Sequence, residues 1–167
     1  VFIDRPSSMV NEYGTAVLFS DAVHVSLWTN DRSHKGLVVK KPWMKMAKAE
    51  NLHALRVDNG FWSMDGGQIW KFASRVPQLV MDDMSITTLK DYDIVPHQAN
   101  VRLLEHLEQT YGVAFFKEVV REHGNPTCSG TMIALEEFLR VDQTARPILA
   151  MGFGDSHSYG GMVVHRK

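Results

Sequence analysis

The chain has a single cysteine, Cys128, which excludes an internal disulfide framework and a cysteine-rich zinc site. It also lacks an excess of either charge. With 18 basic and 19 acidic residues the formal net charge is -1, too little to draw the domain toward nucleic acid or an anionic membrane. No stripe of Lys and Arg interleaved with aromatics is present, and no apolar stretch is long enough to span a bilayer. With no signal peptide read at its start, the expected address is cytoplasmic. Repeats, low-complexity tracts and long Gly/Ser linkers are missing too. The first residue is not methionine, and the apolar opening Val1 to Ile3 leads us to expect part of something longer.

At 167 residues and 44% hydrophobic, the chain has the length and composition of one ordinary domain with a real core. Thr15 to Trp28 reads as extended, with Val23, Val25 and Leu27 on one side and His24 and Ser26 on the other. After the turn Asn30 to Ser33, a second strand starts at Gly36, and Pro42 ends it or places it on an edge. Residues 42–65 are apolar but aperiodic, which fits either a partly ordered loop over a pocket or interface or simple packing. From Gly67, the spacing of Ile69, Phe72, Ala73, Val76, Leu79 and Val80 predicts a helix capped by Asp65 and kinked or broken at Pro77.

Tyr92 to Val95 reads as a short strand closed by Pro96. Val101, Leu104, Leu107 and Tyr111 then make a helix stopped by Gly112. Phe115 to Arg121 has strand character, and His123 to Pro126 turns the chain. Met132 to Leu139 is helical, with Thr131 or an earlier small residue as cap. Pro147 to Met151 is a buried strand, Gly152 to Gly161 a glycine-rich loop, and Met162 to His165 a final strand. Strands alternating with helices argue for an α/β domain with a largely parallel sheet. The last two strands are too close for a crossover helix, so they pair antiparallel or lie apart in the sheet.

Three loops follow predicted strands, the end of a parallel sheet at which ligands bind. In the first, Pro96-His97-Gln98-Ala99-Asn100, His97 leaves a strand and faces a helix start. Amide N–H groups and the helix dipole there favour a neutral imidazole; the plainer reading is a buried histidine bonded to a backbone carbonyl. In the second, Gly124-Asn125 precedes small residues and a helix start, so Asn125 can offer an amide donor or simply turn the chain. The third, Gly152 to Gly161, has neither the dinucleotide fingerprint nor the Lys-Ser/Thr of a P-loop, and Asp155, His157 and His123 match no zinc spacing. Cys128 reads as a small buried thiol rather than a nucleophile.

Taken in order, Pro96-His97-Gln98-Ala99-Asn100-Val101-Arg102, then Gly124-Asn125, then Phe153-Gly154, resemble β-ketoacyl-acyl-carrier-protein synthase III. Thr15 to Asp21 looks like the strand that ends that family's N-terminal half, and Met64 to Ala73 like the first helix of its C-terminal half. The likeness runs from about residue 15 to the end and is poorest over residues 42–62. It implies the C-terminal half of the thiolase fold, a mixed and mostly parallel sheet packed with helices. Residues 1–33 would finish the N-terminal half and residues 34–167 form the C-terminal one.

The resemblance also implies a decarboxylating Claisen condensation on CoA and carrier-protein thioesters, with no further cofactor and no metal. His97 and Asn125 would bond the malonyl thioester oxygen, Asn100 would meet the pantetheine arm, and Phe153 and Gly154 would shape the wall near the nucleophile. Arg102 would meet the acidic acyl carrier protein. Two departures stand out. Asp155 replaces a glycine usual in the family, and Pro126 to Gly130 replaces a run of Thr, Ser and Ala; both suggest a divergent member, as from secondary metabolism.

The family's nucleophilic cysteine belongs to the half that this sequence does not supply, and Cys128 lies in the asparagine loop. The expected partners are therefore acyl-CoA, acyl carrier protein, and the N-terminal half of the same fold or a partner subunit, in a homodimer or heterodimer. The competing reading is a non-catalytic half-domain that binds carrier protein or a partner ketosynthase.

Overall fold

The run Ile148-Leu149-Ala150-Met151 is buried on both sides, as a central strand must be. In the computed structural model, which describes residues 18–31, 33, 36–46, 54–58, 61–142, 144–154 and 157–167, it begins strand β5, Ile148–Phe153. The other strands are β1 (Leu37–Met46), β2 (Leu55–Asp58), β3 (Phe61–Met64), β4 (Asp93–Pro96) and β6 (Ser158–Arg166). The helices are α1 (Gly66–Ala73), α2 (Val76–Met84), α3 (Val101–Tyr111), α4 (Glu118–His123) and α5 (Gly130–Val141). Four strands form one sheet in the order β1-β6-β5-β4, and β2 pairs β3 in a separate hairpin.

Period-2 alternation divides the core between the two faces of the sheet. Ile94, Leu149 and Val163 join a cluster with Phe72, Val76, Val80, Leu104 and Leu107, from α1, α2 and α3. Their neighbours Val95, Ile148 and Val164 join Val119, Ala134, Leu135 and Phe138, from α4 and α5. The result is the α/β layering expected. Side chains as fully enclosed as Leu104 and Leu149, both 0% exposed, each contribute roughly 1.5–3 kcal/mol of hydrophobic stabilisation.

The sheet is mixed. β4 and β5 run parallel, while β5 with β6 and β6 with β1 are antiparallel, so its parallel share is smaller than the strand–helix alternation suggests. The cause is the short connection after Phe153, which folds the last two strands into a hairpin.

Local signals account for most boundaries. Asp65 caps α1 by accepting from the Gln68 N–H at 3.0 Å. Pro77 sits in the first turn of α2, where its missing N–H does no harm, so the predicted long helix is two helices. Gly112, at φ 64°, ends α3 as expected. β1 runs through Pro42 to Met46 as an edge strand, with a bulge between Lys40 and Trp43 that leaves the proline outside the ladder.

Two expectations fail. Phe115 to Arg121 is not a strand: Phe115 makes one isolated bridge to Ile94, and α4 begins at Glu118. Val119 and Val120 are adjacent yet pack into different clusters, which gives a six-residue helix an apolar pattern resembling a strand.

Of the strand expected over Thr15 to Trp28, residues 15–17 lie outside the described residues. The rest is irregular apart from a bridge between Phe19 and Asn125. Val23, Val25 and Leu27 are 55%, 79% and 95% exposed, an alternating row with no ladder partner among the described residues.

Candidate active site

β4 ends at Pro96, but its pairing to β5 persists one residue further, because the His97 N–H donates to the Met151 carbonyl at 2.7 Å. This fixes His97 at the mouth of the parallel pair, beside Gly152 and Phe153. A Cβ on Gly152 would lie 3.7 Å from that of His97 and 3.5 Å from the Thr131 hydroxyl, so the glycine leaves room between them. The His97 ring stands edge-on to Phe153. Part of the ring faces a cavity and the rest is packed in protein, and this burial pushes its pKa from 6.5 down to about 4. The imidazole is therefore neutral at physiological pH. Desolvation is the cause, rather than the helix dipole invoked from the sequence.

Asn125 reaches the same cavity from the opposite loop. Gly124, the cap of α4 at φ 76°, turns the chain into it, and a side chain there would press on the Leu18 carbonyl. The backbone of Asn125 is clamped on both sides, its N–H to Leu18 O at 2.8 Å and its carbonyl accepting from Ser20 N at 3.0 Å. Its side-chain oxygen accepts from the Thr127 N–H at 3.0 Å. With the oxygen so held, the NH2 is the group Asn125 can present to a ligand. The side chain is 8% exposed, with little room to wander.

The cavity has a volume of about 670 Å³. His97, Asn100, Asn125, Phe153 and Gly154 all line it, so five of the six residues singled out from the sequence converge here. Asn100 also caps α3, its oxygen accepting from the N–H groups of Arg102 at 2.8 Å and Leu103 at 3.3 Å. Arg102 is the exception: it lies outside the cavity, exposed on the first turn of α3. Asp155 lies outside the described residues.

The rest of the lining was less legible. Trp43, Met44, Ala54, Leu55 and Met64 form one wall. The described residues of the aperiodic stretch over 42–65 thus do line a pocket, from the end of β1 and from the β2–β3 pair. Its only signal in the sequence was apolar composition without period. His157 was passed over once zinc spacing failed, yet it lines the cavity at φ 53°, its ring edge-on to Phe72 at 4.5 Å. Cys128 corrects an expectation. It is exposed on the cavity wall, because residues 127–129 form a 3-10 turn ahead of α5 instead of a close-packed helix start.

Among the described residues no cluster of three or more His, Cys, Asp or Glu side chains could hold a metal ion. Nor is any of their helices long and apolar enough to cross a membrane. What the site offers is a neutral imidazole and a primary amide on the lining of a largely apolar cavity.

Residues 85–166 match the family described as 3-Oxoacyl-[acyl-carrier-protein (ACP)] synthase III C terminal. This stretch carries the His97 loop, Asn125 and Phe153-Gly154. That stretch is similar to the C-terminal domain of synthase III proteins.

Known synthase III proteins extend the likeness beyond that stretch. The β-ketoacyl-[acyl-carrier-protein] synthase III of Neisseria gonorrhoeae is 30% identical over 168 residues, covering 92% of this chain and 52% of that protein. The chain thus spans about half the length of such relatives. The crystal structure of 3-oxoacyl-[acyl-carrier-protein] synthase III from Aquifex aeolicus superposes with a TM-score of 0.75 at 22% identity, over 98% of this chain and 56% of that one. A priming β-ketosynthase of a polyketide biosynthetic pathway superposes at 0.65 and 22% identity, over 77% of this chain and 45% of its own. These neighbours show the fold alone, the C-terminal half of the thiolase fold.

Proposed function

We propose that this chain supplies the His/Asn half of a ketosynthase III-like active site that performs a decarboxylating Claisen condensation. The observation that carries the reading is the convergence of His97 and Asn125 on one cavity, with the His97 imidazole kept neutral. Residues 34–167 act as the C-terminal half and residues 1–33 as the end of the preceding one. The nucleophilic cysteine comes from outside this chain, in an N-terminal half that also completes the acyl pocket.

In this mechanism the acyl group is first held as a thioester on that cysteine. A malonyl thioester on acyl carrier protein enters the cavity, Asn100 touching its pantetheine arm and Arg102 meeting the carrier protein at the rim. The bond to the malonyl carboxylate breaks, CO2 leaves, and the bonding pair becomes an enolate whose charge falls on the thioester oxygen. His97 and Asn125 donate N–H groups to that oxygen. A protonated histidine would hold charge throughout; a neutral one in a dry site responds mainly to charge that develops in the transition state. The enolate carbon then attacks the acyl carbon and the cysteine thiolate departs. Phe153 and Gly154 form the wall beside that reaction.

The test is to complete the fold by co-expression with an N-terminal half and to assay condensation of an acyl-CoA with malonyl-acyl carrier protein. His97→Ala should lower the rate about 100- to 1000-fold, the usual loss for one oxyanion donor. Condensation unaffected by His97→Ala, or carrier-protein binding with no condensation in any completed assembly, would return the chain to a non-catalytic binding role.

A further inference from the structure

Gln98 is the member of the Pro96–Asn100 loop that the proposed chemistry leaves unused, and it is the more deeply buried of the two buried polar residues at the site, at 0% exposure against 8% for Asn125. A primary amide taken wholly out of water is destabilising unless its bonds are made, and here they are. Its NH2 donates to the Pro96 carbonyl at 2.9 Å and to the Phe116 carbonyl at 2.9 Å. Its oxygen accepts from the Val120 N–H at 3.1 Å. Gly130, the first residue of α5, lies against it; a Cβ there would sit 3.4 Å from the Gln98 Cβ and 3.2 Å from the Pro126 ring.

These partners are not scattered. Pro96 is the residue before His97. Phe116 and Val120 flank the start of α4, whose C-terminal cap, Gly124, is the residue before Asn125. Gln98 thus spans from the segment that carries the histidine to the helix that delivers the asparagine, and Gly130 keeps a third segment close without crowding it. Two donors that must meet one small oxygen tolerate only fractions of an ångström of misplacement. A backbone bond from the Phe116 N–H to the Ile94 carbonyl at 2.9 Å joins β4 to the segment ahead of α4, and Gln98 carries that tie on to Pro96 and Val120, next to His97 and inside α4.

We propose that Gln98 is a positioning residue that locks the His97 loop to α4, and so sets the separation and orientation of His97 relative to Asn125. This rests on the reading of those two residues as a donor pair. Gln98 touches no substrate; it acts through the two backbone segments it joins.

Gln98→Met is the first test, since it keeps length and volume while removing all three bonds. His97 ring signals and the Asn125 side-chain amide are followed by NMR across a pH titration of the 167-residue chain. In the unaltered chain burial is expected to hold the His97 pKa down at about 4. In Gln98→Met that value should climb toward 6.5 as the loop loosens and admits water, and the Asn125 amide signals should shift or broaden. Gln98→Asn, one methylene shorter, should show the same changes to a lesser extent.

Leu89→Ala, buried ahead of β4 at the end away from His97, is the control: it should lower Tm without moving either signal. Gln98 variants that melt early but leave His97 and Asn125 unmoved would reduce Gln98 to a structural amide and overturn the proposal. Should both variants fail to fold, proton exchange in the unaltered chain decides, slow exchange of the Val120 N–H and the Gln98 NH2 supporting the tie and fast exchange sinking it. In the completed enzyme, Gln98→Asn should lower kcat at least ten-fold with little change in KM. Absence of condensation there would count against the proposed function, while the titration would still judge Gln98.

Discussion

The ring of His97 stands edge-on to Phe153, centroids 5.1 Å apart and planes at 83°. Phe153 in turn meets Phe72 edge-on at 6.4 Å, so an aromatic wall shields the histidine on its β5 side. Removing that wall should rehydrate the ring. Phe153→Ala is expected to raise the His97 pKa from about 4 toward its ordinary 6.5, read by NMR of the ring carbons. An unchanged titration would mean that other groups exclude the water.

The same depressed pKa ties stability to pH with a definite sign. Between about 4 and 6.5 the unfolded chain binds a proton at this histidine and the folded one does not. Stability from this group is therefore present above 6.5 and lost as pH falls through that window, by at most about 3 kcal/mol. Urea unfolding of the chain and of His97→Gln, compared at pH 7 and pH 4.5, checks it. The variant should lose less stability on acidification.

Gly160 in β6 faces Met44 in β1, and a Cβ on it would lie 2.5 Å from the Trp43 carbonyl oxygen and 3.2 Å from the Met44 Cα. Both atoms are backbone, so no flexible tip can move aside. Gly160→Ala should push β1 outward, destabilise the fold by about 1–3 kcal/mol and separate Trp43 from the Tyr159 ring it now meets at 5.1 Å. Denaturant unfolding gives the first quantity and tryptophan fluorescence the second.

Cys128 is exposed on the cavity wall and should react readily with a maleimide. A bulky label there should block ligand entry. The chain alone, with or without Cys128→Ala, is expected to give no condensation product from acyl-CoA and malonyl-acyl carrier protein, because the proposed acyl-holding cysteine lies outside it. Turnover by the Cys128→Ala chain on its own would refute that division of roles.

Much of the architecture was legible because it is locally written. Asp65, Pro77 and Gly112 each set a helix boundary through their own backbone chemistry, and α3 shows its buried face at helical spacing. The Val23, Val25 and Leu27 alternation predicts a strand that the structure does not form, because a strand needs a ladder partner and the described residues provide none. Val119 and Val120 misled for the opposite reason. Their adjacency reflects two separate core clusters pressing on one short helix, a fact of packing that no local period records.

The sequence by itself determined the ends of α1 and α3, the buried strand at Ile148–Met151 and the His97 loop after β4, since residue type and local spacing decide those things, while the resemblance to synthase III singled out His97 and Asn125. Only the tertiary structure decided that the two loops share one cavity, that the 42–65 stretch walls it, that Gln98 joins the two segments, and that His97 stays neutral. The physical reason is that burial and desolvation belong to everything packed around a group, and the neighbours that bury His97 come from strands and helices far apart in the chain.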